Sequence, residues 1–112
     1  MKIFICIACL AIIGCSNKKR QLSKLPPCLQ TLVKKWINEK QTPNAIIKYE
    51  YKGDTVYYVA PPCCDQYNSV YTKDCRVLGA PDGGIDGIGD GKIPDFDKVR
   101  KGGEVLWDNM KE

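Results

Sequence analysis

The 112-residue chain contains no histidine. That absence removes Ser/His and Cys/His nucleophile pairs, imidazole metal ligands and an imidazole base working near neutral pH. Long apolar runs are missing too: the longest, Ile3 to Ile13, has eleven residues, against about 20 needed to span a bilayer. Neither sign of charge dominates, since 17 Lys and Arg stand against 13 Asp and Glu. This balance speaks for solubility rather than for a nucleic-acid partner. What the chain has in excess is cysteine, seven in a small chain that is 44% hydrophobic and 27% charged. Such a composition fits one small folded domain in an oxidising compartment.

Met1-Lys2 supplies a positive start, and the apolar run after it ends in Gly14-Cys15. A run of this length suits the core of an export signal rather than a membrane span. The stretch Ile12-Ile13-Gly14-Cys15 resembles the bacterial lipobox. In that motif the cysteine thiol receives a diacylglycerol, the peptide is cut before it, and the new amino group takes a further acyl chain such as palmitate. The expected division is therefore 1–14 signal peptide, 15–27 lipidated Cys15 and flexible basic tether, and 28–112 a single small α+β domain. Each acyl chain buries a dozen or so methylenes at about 0.8 kcal/mol apiece, so two or three chains anchor a protein stably. Loss of Lys2 with the signal lowers the formal charge from +4 to +3.

The tether, SNKKRQLSKLPP over 16–27, is polar and basic and ends in two prolines; extended, it reaches about 40 Å. From Cys28 the pattern changes. Leu29, Leu32, Val33, Trp36 and Ile37 recur with period 3.6, and Thr42-Pro43 stops the run, so an amphipathic helix is expected. Ala45 to Lys52 and Thr55 to Ala60 alternate with period two around Gly53-Asp54, which predicts a hairpin. In that register Tyr51 faces Val56, Tyr49 faces Tyr58 and Ile47 faces Ala60, forming one apolar face, while the opposite face is half-solvated. Glu104 to Asn109 offers a third strand with Val105 and Trp107 inward, a short helix being the competitor. The expected fold is α+β: one N-terminal amphipathic helix packed on a small antiparallel sheet, with Pro61 to Phe96 as a long Gly-rich loop stapled by disulfides.

Cys6 and Cys9 leave with the signal and Cys15 is alkylated, so Cys28, Cys63, Cys64 and Cys75 remain. An even count in an exported domain reads as disulfides. Joining the neighbours Cys63 and Cys64 requires a strained small ring, which leaves two pairings: Cys28 with Cys63 and Cys64 with Cys75, or Cys28 with Cys64 and Cys63 with Cys75. A four-thiolate zinc site needs ligands clustered in pairs, and the spacings of 35, 1 and 11 do not supply them. The one Cys-x-x-Cys pair, Cys6 and Cys9, goes with the signal.

Asp82, Asp86 and Asp90 each precede a glycine in DGGIDGIGDG. Carboxylates on a flexible backbone suit a hard cation such as Ca2+. With Asp82 at position 1 of an EF-type loop, Asp86 and Asp90 fall on ligand positions and Gly87 on the turn. Gly84 and Ile93, however, stand where further ligands belong. A chain of tight turns, with Asp side chains bonding local amides, is the favoured reading.

The order of lipobox, Cys-Leu helix, YEYKGDTVYYV, PCCD, LGAPDGG, GDGK and PDF resembles a family of small uncharacterised lipoproteins of the Bacteroidota, over about residues 28–107. Members of that family sometimes carry extra cysteines before PDGG and PDF, where this chain has Ala80 and Ile93. The position of Asp86 is often Thr there, which weighs against calcium. The resemblance implies location and architecture and transfers no activity.

The functional expectation is a membrane-anchored exported lipoprotein serving as a disulfide-stabilised binding module in the cell envelope, periplasm-facing. Its partners are the membrane, through the lipid, and an envelope protein or glycan, with no nucleic acid. The Gly-rich loop and exposed tyrosines would present the binding surface. A calcium-binding module built on Asp82, Asp86 and Asp90 is the alternative, and a metal-assisted hydrolase using Asp90 and Asp95 ranks below it. No catalytic residue or required cofactor is marked, and an enzyme is not expected.

Overall fold

The computed structural model describes residues 17–110. The signal peptide and Cys15 lie outside them. The elements are α1 (residues 17–23), α2 (Pro27–Asn38), β1 (Ala45–Tyr51), β2 (Asp54–Ala60), β3 (Tyr67–Thr72), β4 (Val77–Gly83), α3 (Phe96–Val99) and β5 (Lys101–Asp108). The strands form one antiparallel sheet in the order β4-β3-β2-β1-β5.

This architecture overturns the expected one. A five-stranded sheet dominates, not a helix on a hairpin. The stretch expected to be one long loop contains a second hairpin, β3–β4. Its aromatic and β-branched residues, in Tyr67-Asn-Ser-Val-Tyr-Thr, are those a strand favours, whereas the glycines of VLGAPDG obscure β4. Pro81 is tolerated because β4 is an edge strand and one side of it needs no donor. Nor is α2 the packed amphipathic layer suggested by its period. Of its apolar stripe only Leu29 and Val33 are buried; Leu32 and Trp36 are half-exposed, and Ile37 is exposed.

The first hairpin also differs in register. Lys52 and Gly53 both have positive φ, 52° and 88°, the requirement of a type I′ turn. The turn therefore falls one residue earlier than expected, and Tyr49 faces Val56, Ile47 faces Tyr58 and Ala45 faces Ala60. A slip of two residues leaves every side chain on its expected face, but both faces are covered. On one, Ile46, Tyr57 and Val59 meet Leu25, Leu29, Val33, Leu106 and Trp107. That is the face expected to be half-solvated. On the other, Tyr51, Val56 and Val70 meet Ile93 and Phe96, with Tyr49, Tyr58 and Leu78 at the margin.

Strands β4 and β5 occupy opposite edges, so the chain between them must cross the sheet. The Gly-rich stretch and α3 make that crossing and lay Ile93 and Phe96 on the second face. Phe96 stands edge-on to Tyr49, 5.6 Å between centroids, and stacks on Tyr58 at 6.5 Å. At β5 the step from Ile46 to Ile47 spans Trp107 to Val105, so Leu106 is the extra residue of a bulge. The neighbours Leu106 and Trp107 consequently share one cluster, where an unbroken strand would send them to opposite faces. Val105, expected to point inward with Trp107, is 54% exposed. The indole of Trp107 donates to the carbonyl of Pro43 at 2.9 Å.

Residues 17–27, expected to be part of a flexible tether, are ordered against the domain. Lys18 donates to Asn109 Oδ1 at 3.1 Å and lies 5.0 Å from the Trp107 ring centroid. Gln21 accepts the amide proton of Asp108, and Leu25 is in the core. Its leucines account for this: Leu22 and Leu25 give a basic segment an apolar side to bury.

Among the described residues two disulfides are formed, Cys28–Cys75 and Cys63–Cys64. Neither expected pairing occurs. Cys28–Cys75 ties the start of α2 to the β3–β4 turn, and the pairing set aside as too small a ring is the one present. Once β3 pairs with β2, the turn residue Cys75 is brought to α2, and Cys63 and Cys64 are left with each other.

Candidate functional site

The three Asp residues offered as calcium ligands in the alternative reading are bonded to protein partners, two of them to nearby backbone amides as the tight-turn reading expects. Asp82 accepts from the Tyr58 hydroxyl at 2.9 Å and from Asn68 at 2.8 Å. Asp86 accepts the Ile88 amide, and Asp90 the amides of Ala80 and Lys92 at 2.9 and 3.1 Å. The Ala80 and Lys92 amides hold the Asp90 carboxyl below its ordinary range. Asp95 accepts from the Tyr51 hydroxyl and pairs with Lys52. Burial, reinforced by Asp82, raises the Tyr58 hydroxyl. Among the described residues no group of three His, Cys, Asp or Glu side chains is placed to hold a metal ion. The Gly-rich segment lays Ile93 and Phe96 over one sheet face, and Ile85 and Ile88 at its tip are exposed.

A groove opens on the other face, between the end of α2 and the β2–β3 connection. It has a volume of about 300 Å³, at the lower bound of ordinary ligand sites. Its floor is Val59, Ser69 and Tyr71; one wall is Trp36, Glu39, Gln41 and Pro43, the other Pro61, Pro62, Gln66 and Tyr67. Trp36 meets Tyr71 edge-on, 6.0 Å between centroids. Burial pushes the Tyr71 hydroxyl up from its ordinary range. Tyr67 is 50% exposed at the rim. The arrangement offers ring faces and prolines for an apolar group, with amide and hydroxyl groups around them for orientation.

A second depression of about 440 Å³ adjoins the first and shares Pro61, Pro62 and Gln66 with it; Cys63, Cys64, Asn44 and Asn68 complete much of its lining. A third, of about 540 Å³, lies at the hairpin tips, where Lys52, Asp54, Lys73, Asp74 and Arg76 mix both signs of charge. That cleft has no pair of facing aromatic rings, and the Asp74 carboxylate is already taken by the Thr72 hydroxyl.

None of Asp82, Asp86, Asp90 or Asp95 lines the groove. Trp36 is expected from the sequence on the apolar stripe of the helix, and Pro61, Pro62, Tyr67 and Tyr71 in the long loop, with exposed tyrosines as part of a binding surface. One signal was available: Tyr67, Ser69 and Tyr71 alternate with period two, which puts all three on one sheet face just after a rigid Pro-Pro pair. No described helix is long and apolar enough to cross a membrane.

No curated protein and no solved structure matches the chain. Residues 35–109 match the model of a family described as a domain of unknown function (DUF6970). That match takes in all five strands, both walls of the groove and the Cys63–Cys64 bridge, and the chain belongs to this family.

Proposed function

We propose that the protein is an exported lipoprotein of the bacterial cell envelope, anchored through Cys15 after removal of residues 1–14, whose domain is a binding module and not an enzyme. The lipobox-like Ile12-Ile13-Gly14-Cys15 supports the anchor, the resemblance to Bacteroidota lipoproteins supports an envelope location, and the basic SNKKR run after Cys15, free of acidic residues, supports a periplasm-facing anchor. The single observation that carries the binding reading is the groove. Trp36, Tyr67, Tyr71, Pro61 and Pro62 converge there on a sheet tied to α2 by Cys28–Cys75. A rigid platform of aromatic and proline surface with a polar rim suits an envelope glycan or an extended protein segment. Asp90 and Asp95, the carboxylates a hydrolase would use, are held by protein partners away from the groove.

The anchor is tested by growth with an alkynyl fatty acid. Label is expected on the wild type and lost in Cys15→Ser; equal labelling of both contradicts the anchor. The groove is tested by titrating soluble peptidoglycan fragments and proline-rich peptides while following the indole resonance of Trp36. The expected result is a saturable shift with one of these probes that Tyr71→Ala abolishes. Shifts confined to residues away from the groove contradict this placement of the site.

A further inference from the structure

The two disulfides differ in what they hold. Cys28–Cys75 closes a segment of 47 residues and lies half-buried, with Cys75 against the helix-side core. Cys63–Cys64 joins adjacent residues and is exposed at both of them. It closes no loop of chain, so the entropy argument that makes disulfides stabilising gives it almost nothing. Its place matters more, because it sits in the connection that forms one wall of the groove. The hydrogen bonds anchoring that connection lie at its ends: Asn44 donates to the Pro61 carbonyl at 3.2 Å, and the Gly84 amide donates to the Gln66 carbonyl at 2.9 Å. Between those ends the disulfide bonds the two residues that follow Pro62.

We infer that Cys63–Cys64 is a reversible thiol–disulfide exchange site whose oxidation state sets the shape of the Pro61–Gln66 wall. The co-reactant is a dithiol reductant. Its thiolate attacks one sulfur of the bridge, forming a mixed disulfide and releasing the other cysteine as a thiolate, which takes up a proton. The second thiol of the reductant then attacks the mixed disulfide and releases the remaining cysteine. Two electrons and two protons pass to Cys63 and Cys64, and the reductant leaves as a disulfide. Access selects the site: an attacking thiol must reach a sulfur along the bond axis, and the exposed bridge offers a more open approach than the half-buried one. Reduction replaces a ring with two free side chains, so the backbone at Cys63 and Cys64 gains freedom beside Pro62 and Gln66. The exchange itself does not depend on the groove being a binding site; its consequence for ligand affinity does rest on that reading.

The folded protein is titrated with dithiothreitol under native conditions, trapped with N-ethylmaleimide and mapped by peptide mass. Cys63 and Cys64 are expected to acquire label together at a reductant concentration about tenfold below that which labels Cys28 and Cys75. Re-oxidation should restore the unlabelled state. Labelling of Cys28 and Cys75 first, or of all four together, overturns the exchange site. In parallel, amide resonances of Gln66 and Tyr67 and the indole of Trp36 are followed on selective reduction. They are expected to move, and Cys63→Ser/Cys64→Ser is expected to reproduce the reduced positions without reductant. Selective reduction with unmoved groove resonances overturns the coupling to the wall. Because neither readout uses a ligand, these failures are distinct from failure of the binding reading.

Discussion

The hydroxyl of Tyr51 donates to Asp95 Oδ1 at 2.7 Å across 44 residues of chain, and the other oxygen of that carboxylate takes Lys52 Nζ at 3.0 Å. Tyr51 ends β1 and Asp95 immediately precedes Phe96. This contact therefore pins the segment that crosses the sheet to the face it covers.

The Tyr51 hydroxyl, and after it Lys52, hold the Asp95 carboxyl below its ordinary 3.8; the amides of Ala80 and Lys92 do the same for Asp90. A carboxyl whose folded value is depressed adds stability that is complete above its unfolded value and is lost as pH falls through the folded one. Stability is expected to be flat from neutrality down to about pH 5 and to fall steeply below about pH 4. Asp95→Asn and Asp90→Asn should each lower the neutral-pH melting temperature and flatten that acid fall. An unchanged acid limb in both variants would count against these assignments. Thermal melts from pH 7 to pH 2.5 read the effect.

The disulfides should separate in stability. Cys28→Ser/Cys75→Ser is expected to cost about 4 kcal/mol, the loop-closure value for a loop of this length. Cys63→Ser/Cys64→Ser should cost under about 1 kcal/mol, since it releases no loop. Urea denaturation of the two double variants measures the difference, and equal losses would refute the distinct roles given to the two bridges.

Gly89 has φ +82°, and a Cβ there would lie 2.2 Å from the Ala80 carbonyl oxygen; Gly53 has φ +88° with open space around it. Gly53→Ala thus suffers only the left-handed backbone penalty, about 1 kcal/mol. Gly89→Ala must in addition push the Gly-rich segment off β4, where Asp90 and Ala80 bond to each other in both directions. Its melting temperature should drop well beyond that of Gly53→Ala; parity between them would argue against the close approach.

The two tryptophans should behave oppositely. Trp107 is fully buried with its indole bonded to Pro43, so Trp107→Ala is expected to lose about 3–5 kcal/mol. Trp36 is half-exposed at the groove and pairs with Tyr71; Trp36→Ala should lose only about 1–2 kcal/mol. Near-ultraviolet circular dichroism with urea denaturation distinguishes the two.

What could be read in the sequence was local. The alternation in Ala45 to Ala60 gives two strands and the faces of their side chains. The turn slipped because Lys52, a residue without a preference for positive φ, takes a position where glycine would have announced it. Strand β4 was hidden because Gly79, Pro81 and Gly83 read as loop residues in isolation, and only pairing with β3 makes them a strand. The bulge at Leu106 is likewise set by β1, not by β5's own pattern. The disulfide pairing follows from tertiary placement, since β3 must first bring Cys75 beside Cys28. The groove assembles residues from α2, β2, the Pro-Pro connection and β3, and no single stretch of sequence signals that convergence.

Site-specific photo-crosslinking in the native host reads whether this groove meets an envelope partner. A photoreactive phenylalanine replaces Tyr67 at the groove rim in one strain and Lys73 at the distant hairpin tip in another. A discrete ultraviolet-dependent adduct is expected from position 67, diminished by Trp36→Ala, and none from position 73. An adduct from position 73 with none from position 67 would contradict a partner at the groove.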